Sequence, residues 1–281
     1  MFLRILLLTT MMVSAAAATF AQQRPLVTED PEVVGAGRLL LEGGVDVLRG
    51  QRFPVSGLEG NLLRMPTLGL SIGISSIAEL QFDGGLYDRL SITNRKTAPL
   101  SSLVTSKGAQ THDVSDIVVA TKVKMLSEQT GRPAVAIRLA TKLPNASNES
   151  GLGLDTTDFY ASLLVAKNVQ SFRFVVNGGL GILGDPTSGN RQNDVLTYGG
   201  SVARALTRRA ELVGDLTGRW SLRESGALPG TENQSTLRLG GRYTPGPVRF
   251  DGGILFGLTD DGPNFGITGG FTYVFDAFRV P

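Results

Sequence analysis

From Asp116 to Leu143 the chain alternates apolar and polar side chains with a period of two on both sides of a tight turn, and the pattern recurs along most of its length. In Ile117-Val118-Val119-Ala120-Thr121-Lys122-Val123-Lys124-Met125 the odd positions are mostly apolar and two even ones are lysines. Past the turn at 128–132, Val135, Ile137 and Leu139 alternate with Ala134, Ala136, Arg138 and Ala140. Period two sends successive side chains to opposite faces of a strand, so each strand carries one greasy and one wet face. No long helical period interrupts the pattern. The fold class expected is all-β.

Strands are expected near 38–48, 61–74, 78–92, 115–127, 132–143, 156–168, 171–184, 194–207, 209–222, 235–244, 247–258 and 264–276, about twelve in all. Their connections alternate in length. Those at 49–60, 93–114, 144–155, 185–193 and 223–234 are long, and 259–263 is moderate; those at 75–77, 128–131, 169–170, 208 and 245–246 are short. Outer-membrane barrels show this asymmetry, with long extracellular loops and short periplasmic turns.

The first residues supply the address. Arg4 precedes an apolar run from Ile5 to Val13, small residues follow from Ser14 to Ala18, and Thr19-Phe20-Ala21 fits a signal-peptidase site. The apolar core is too short to anchor in a bilayer, and no later run reaches about 18 apolar residues. Residues 1–21 therefore read as a cleaved signal peptide, 22–37 as an N-terminal periplasmic segment, 38–276 as the barrel and 277–281 as a C-terminal extension. The expected location is the outer membrane of a Gram-negative bacterium. The chain has no cysteine, which excludes disulfides, thiol nucleophiles and Cys-based metal sites, and its net charge of +2 leaves no nucleic-acid footprint. Its 36 glycines in 281 residues exceed the usual share of about 7 % and suit curved strands.

These features specify a single antiparallel, up-and-down transmembrane β-barrel. Leu39, Leu41, Val45 and Val47 alternate with Glu42 and Asp46, and Leu80, Phe82 and Leu86 with Glu79, Gln81 and Asp83. Leu212, Leu216 and Trp220 oppose Glu211, Asp215 and Arg219; Leu237 and Leu239 oppose Arg238 and Arg242; Phe250, Ile254 and Phe256 oppose Arg249 and Asp251. Alternation alone also fits a soluble barrel with its greasy face inward. Export and the loop asymmetry favour apolar outward. Two aromatic belts agree: Tyr87, Phe159, Trp220, Phe256 and Phe265 near one rim, and Phe172, Phe174, Tyr243, Phe250, Tyr273 and Phe275 near the other.

Short motifs then resemble a known family. Arg24-Pro25-Leu26-Val27-Thr28-Glu29-Asp30-Pro31 is similar to the start of the bacterial outer-membrane family named for the meta-pathway of phenol degradation, whose members often carry the label transporter. Arg132-Pro133-Ala134, Lys142-Leu143-Pro144, Gly151-Leu152-Gly153, Thr157-Asp158-Phe159, Leu163 to Lys167 and Gly181 to Pro186 continue the likeness over most of the mature chain. The resemblance implies a barrel and passage of hydrophobic compounds, and it supplies no catalytic residues. Asp276 to Pro281 depart from it, since such barrels usually end on the last strand's aromatic, here Phe275.

Lumen-lining candidates follow from parity: Glu42, Asp46, Glu79 and Asp83 as an acidic sector; Lys122, Lys124, Arg138 and Lys142 as a basic one; then Glu211, Asp215, Arg238, Arg242 and Arg249. They make either a salt-bridge network that partly plugs the interior or the charged walls of an open pore. Asp83 and Lys124 are expected to couple. Twelve strands about 4.8 Å apart and tilted near 40° enclose roughly 24 Å of backbone diameter, of which side chains leave on the order of 10 Å. Small molecules fit. Gly179-Leu180-Gly181-Ile182-Leu183-Gly184 matches a dinucleotide motif but precedes a loop rather than a helix, so strand glycines explain it. His112-Asp113 could serve a hydrolase, yet no nucleophile motif accompanies it, and Asp260-Asp261-Gly262-Pro263-Asn264 reads as a polar turn rather than a calcium loop. No enzyme activity, cofactor or metal is expected. The expected partners are membrane lipid, a small-molecule solute and the outer-membrane assembly machinery. The leading function is a passive channel for small, hydrophobic or aromatic molecules. The alternative is a non-conducting barrel that binds through its loops.

Overall fold

The computed structural model describes residues 24–223 and 226–279; the expected signal peptide and the last two residues of the tail lie outside them. Fourteen strands follow in order: β1 Arg38–Phe53, β2 Leu58–Gly73, β3 Ala78–Gly85, β4 Asp88–Arg95, β5 Gln110–Asp113, β6 Ile117–Leu126, β7 Ala134–Leu143, β8 Asp158–Val169, β9 Phe172–Gly184, β10 Gln192–Ala205, β11 Ala210–Ser221, β12 Gln234–Tyr243, β13 Val248–Gly257 and β14 Phe265–Asp276. All pairings are antiparallel, and β1 pairs with both β2 and β14, so the sheet closes on itself.

Two staves of the wall are each made of two strands. β2 holds β3 along Thr67–Gly73 and β4 along Leu58–Arg64, while β6 pairs with β3 and β5 with β4. The barrel therefore has twelve staves, as expected. The break falls opposite Pro66, which has no N–H to give the ladder. Leu86 N–H donates to the Pro66 carbonyl at 3.1 Å and Met65 N–H to the Tyr87 carbonyl at 2.9 Å, which carries the wall across the gap.

One expected loop is absent. Instead of a long connection at 49–60, β1 and β2 run on to Phe53 and Leu58 with register shifts on the way. Arg52 and Glu59 face each other across that extension and form an ion pair at 3.6 Å. The other long connections stand at the same rim, and the short turns and the described C-terminal residues at the opposite one. Above the long-loop rim the connections pack on one another. Leu100 N–H donates to the Val55 carbonyl, Thr105 N–H to the Glu149 carbonyl and Ser56 Oγ–H to the Gly151 carbonyl. Beneath them Leu48, Leu58, Leu62, Leu90, Val104 and Leu255 form a buried apolar cluster.

The outer face is apolar. Leu163 is 50 % exposed, Val176 60 %, Leu239 47 % and Phe250 52 %, whereas Glu79, Lys122 and Asp215 on the opposite parity are buried. Burial of the charges with exposure of the leucines fixes the greasy side as outward. Aromatic rings gather at both ends: Phe256 and Phe265 lie 5.5 Å apart at the long-loop rim, and Phe172–Phe174 and Tyr273–Phe275 pair at 6.0 and 5.3 Å at the short-turn rim. Leu237 and Leu239 face outward beside the inward Arg238. Leu239→Arg should therefore cost about 2–4 kcal/mol at mid-depth and block assembly, while Arg238→Leu should leave heat-modified gel mobility intact. Equal behaviour of the two variants would refute the assignment.

Candidate functional site

The residues preceding β1 do not lie below the barrel as a periplasmic segment; Arg24 to Val34 run inside it. Pro25 and Pro31 keep this segment out of any β-ladder, so its backbone groups turn to inward side chains. Val27 and Thr28 N–H donate to Asp215 Oδ2 at 2.9 and 3.0 Å. Glu29 N–H donates to Asn177 Oδ1 at 2.7 Å, and Asn177 Nδ2 returns a bond to the Glu29 carbonyl at 2.8 Å. Val34 N–H donates to Glu79 Oε2 at 2.6 Å. A single strand of chain that reaches β3, β9 and β11 in eight residues can only be in the lumen.

Its charges complete those of the wall. Buried Lys122 stands 3.0 Å from Glu79 and 3.4 Å from Glu29, and donates to the Asp30 carbonyl at 2.9 Å. Arg138 reaches Glu29 at 3.0 Å and Asp83 at 3.6 Å. Arg173 grips Asp30 with two bonds, Nη2 to Oδ1 at 2.7 Å, and Lys124 pairs with Glu32 at 3.0 Å. Such pairing offsets the desolvation that an isolated charge would suffer there. At its far end Arg24 stands 3.5 Å from buried Asp251 and donates to Thr67, Thr268 and the Gly269 carbonyl. The guanidinium lies over Gly44 and Gly270; a Cβ at 44 would displace it, and one at 270 would also meet the Gly43 carbonyl.

The remaining inward residues close a second network. Glu42 accepts from Thr272 at 2.9 Å and stands 3.7 Å from Arg249. Arg242 donates to the Arg24 carbonyl at 2.9 Å and stands 3.5 Å from Glu211. Lys142 pairs with Asp158 at 2.8 Å and Asp116 at 3.3 Å. Arg238 bonds Thr217 at 3.1 Å and lies 3.9 Å from Asp215, and Asp46 lines the cavity above Arg24. The expected Asp83–Lys124 couple does not form. Register sets Asp83 opposite Val118 and Glu79 opposite Lys122, so Asp83 goes to Arg138 and Lys124 to Glu32.

Free space lies around the segment. A cavity of about 430 Å³ opens toward the long-loop rim between Arg24, Asp46, Arg64, Arg219 and Arg238. Two more flank the segment. One of about 450 Å³ touches Glu29, Asp83, Arg138 and Tyr160, and one of about 350 Å³ touches Thr28, Ser162, Thr217 and Gln234. Val27 of the segment lines all three.

Other candidates resolve locally. His112 and Asp113 sit on opposite faces of β5, with Asp113 accepting from Ser147 N–H and His112 tilted against Tyr87 at 5.9 Å, so they form no dyad. Gly179–Gly184 lies within β9. At the rim, burial, with the Asp260 charge beside it, pushes the Asp261 carboxyl above its usual range. Among the described residues no cluster of three metal-capable side chains forms. Parity reasoning did not reach Arg173, although its place between outward Phe172 and Phe174 marks it as inward. It also did not reach Glu29, Asp30 and Glu32, because a segment without alternation carries no face.

A family model described as "Putative MetA-pathway of phenol degradation" matches residues 23–275. Among solved structures, the chain is similar to the COG4313 outer membrane channel from Pseudomonas putida F1. That match has 14 % identity and a TM-score of 0.63, covering 88 % of this chain and 98 % of that one. It is also similar to the NanC porin (11 % identity, TM-score 0.52, 84 % and 98 % covered). The translocator domain of the autotransporter NalP from Neisseria meningitidis follows (13 %, 0.50, 86 % and 89 %). At these identities the likeness is one of fold. Comparison with curated proteins finds no match.

The Lys122 cluster makes a direct prediction. Lys122→Gln and Glu79→Gln should each destabilise by about 3–5 kcal/mol in denaturant titrations of the refolded protein, and the double variant by clearly less than their sum. Additive losses would mean that the two charges do not compensate each other.

Proposed function

The chain belongs to the outer-membrane family of the phenol-degradation MetA pathway, and from that premise we propose that it is a passive channel for small, hydrophobic or aromatic solutes, occluded at rest by its own N-terminal segment. The carrying observation is the lumen itself. Cavities of about 430, 450 and 350 Å³ share lining residues, those of Arg24–Glu29 among them. Each suits a single-ring molecule and none a folded protein. The segment has no ladder hydrogen bonds to the wall, so it can shift without opening the barrel. Tyr160 and Leu164 offer apolar contact beside charged groups, which allows weak, multi-site binding of the kind passage requires.

The reading includes export by a leader cleaved after Ala21, which would leave a short N-terminus ahead of Arg24, the residue seated inside the lumen. Insertion would then fall to the outer-membrane assembly machinery, with lipid covering the apolar band. The chemistry points to a conduit rather than an enzyme.

Refolded protein in planar bilayers and liposomes tests the proposal. Small, intermittent conductance steps are expected, together with faster uptake of a phenol-sized solute than of a neutral sugar of equal mass. Absence of both current and uptake would favour the non-conducting, loop-binding barrel.

A further inference from the structure

Three outward-facing basic side chains, unused by the channel, gather on one quarter of the wall near the long-loop rim. Parity places them: Leu48, Leu62, Leu90 and Thr111 are buried on the inner face, so Arg49, Arg89 and His112 project outward, where all three are exposed. Register makes them neighbours. Arg89 lies directly opposite His112, and also opposite Leu63, which pairs with Val47 two residues below Arg49. With strands about 4.8 Å apart and about 3.3 Å of rise per residue, the Arg49 and Arg89 backbones stand roughly 12 Å apart, within reach of two long side chains converging on one group.

The side chains of these three form no ion pair or hydrogen bond with a described residue; His112 has only its ring contact with Tyr87. The cations of the lumen, and two on strands at the other rim, are partnered. In the lumen Lys122, Lys124, Arg138, Lys142 and Arg173 each face carboxylates. At the short-turn rim Lys167 pairs with Glu128, and Arg204 lies over the Phe172 ring at 5.2 Å. Below the trio the surface is apolar: Val47, Leu86 and Tyr87 are exposed. Unpaired guanidinium groups at the edge of a hydrocarbon band need an anion, and the membrane is the nearest source.

We propose that Arg49, Arg89 and His112 dock the phosphate groups of an anionic glycolipid of the outer leaflet, whose acyl chains lie along Val47, Leu63 and Leu86. The long-loop rim faces outward in barrels of this class, which puts the trio at headgroup depth. Guanidinium forks match phosphate oxygens bidentately, and the imidazole adds a donor.

Native mass spectrometry of the refolded mature chain, with diphosphoryl lipid A and enzymatically dephosphorylated lipid A as probes, tests the docking site. Wild type should retain the phosphorylated form about tenfold better, and Arg49→Gln/Arg89→Gln/His112→Gln should lose that preference, while Arg204→Gln at the other rim keeps it. Heat-modified gel mobility reports whether the triple variant folds. Should it not fold, Arg89→Gln alone should reduce retention by about threefold to fivefold. Equal retention of the two lipids, unchanged retention in the variants, or displacement by millimolar inorganic phosphate alone would overturn the proposal. So would a dimer through this face that forms without lipid.

Discussion

Within hydrocarbon no backbone N–H or C=O can go unpaired, and every other feature of this molecule follows from how that demand is met. β14 meets β1 in unbroken register from Asp276 opposite Arg38 to Phe265 opposite Arg49, which removes both edges. Closure with twelve staves makes a narrow barrel. Its outward parity must be apolar, so the polar parity is forced into a confined lumen. Charges collected there have to find one another.

The wall alone does not balance them. Lys122, Arg138 and Arg173 converge on the side of the lumen where Glu29 and Asp30 enter, and the N-terminal segment supplies carboxylates that β3, β6, β7 and β9 lack in sufficient number. The same segment finds its hydrogen bonds in Asp215, Asn177 and Glu79 rather than in strand partners. Attachment through side chains differs from attachment through a ladder: it is strong while every pair is made and exchangeable when solute or water replaces a partner.

Much of this was legible in the sequence, because a membrane wall writes its faces in period two. The twelve staves of the wall and the inward side of Glu42, Glu79, Lys122 and Arg138 follow from alternation, and the two rims from where the aromatics fall. What alternation cannot carry was missed. Pro66 lies at the break in the third stave, where it has no donor to give, a local effect with no trace in the alternation. β1 and β2 extend to Phe53 and Leu58 although 49–60 reads as loop, because cross-strand pairing outweighs local polarity. Asp83 and Lys124 share a parity without sharing a depth, since register is a property of two strands and not of either one. The lumenal course of Arg24 to Val34 was hidden for a related reason: an irregular segment between two prolines shows no face until its partners are in place.

The chain has no cysteine, so a single engineered pair reports on the segment alone. The Cβ that Gly199 would carry stands 3.4 Å from Thr28 Oγ1, close enough for a disulfide between Thr28→Cys and Gly199→Cys. Conductance of that variant, oxidised and then reduced in the same bilayer, tests whether movement of the segment opens the lumen. The account predicts silence when the bond is formed and wild-type current steps when it is broken. Identical current in both states would contradict it.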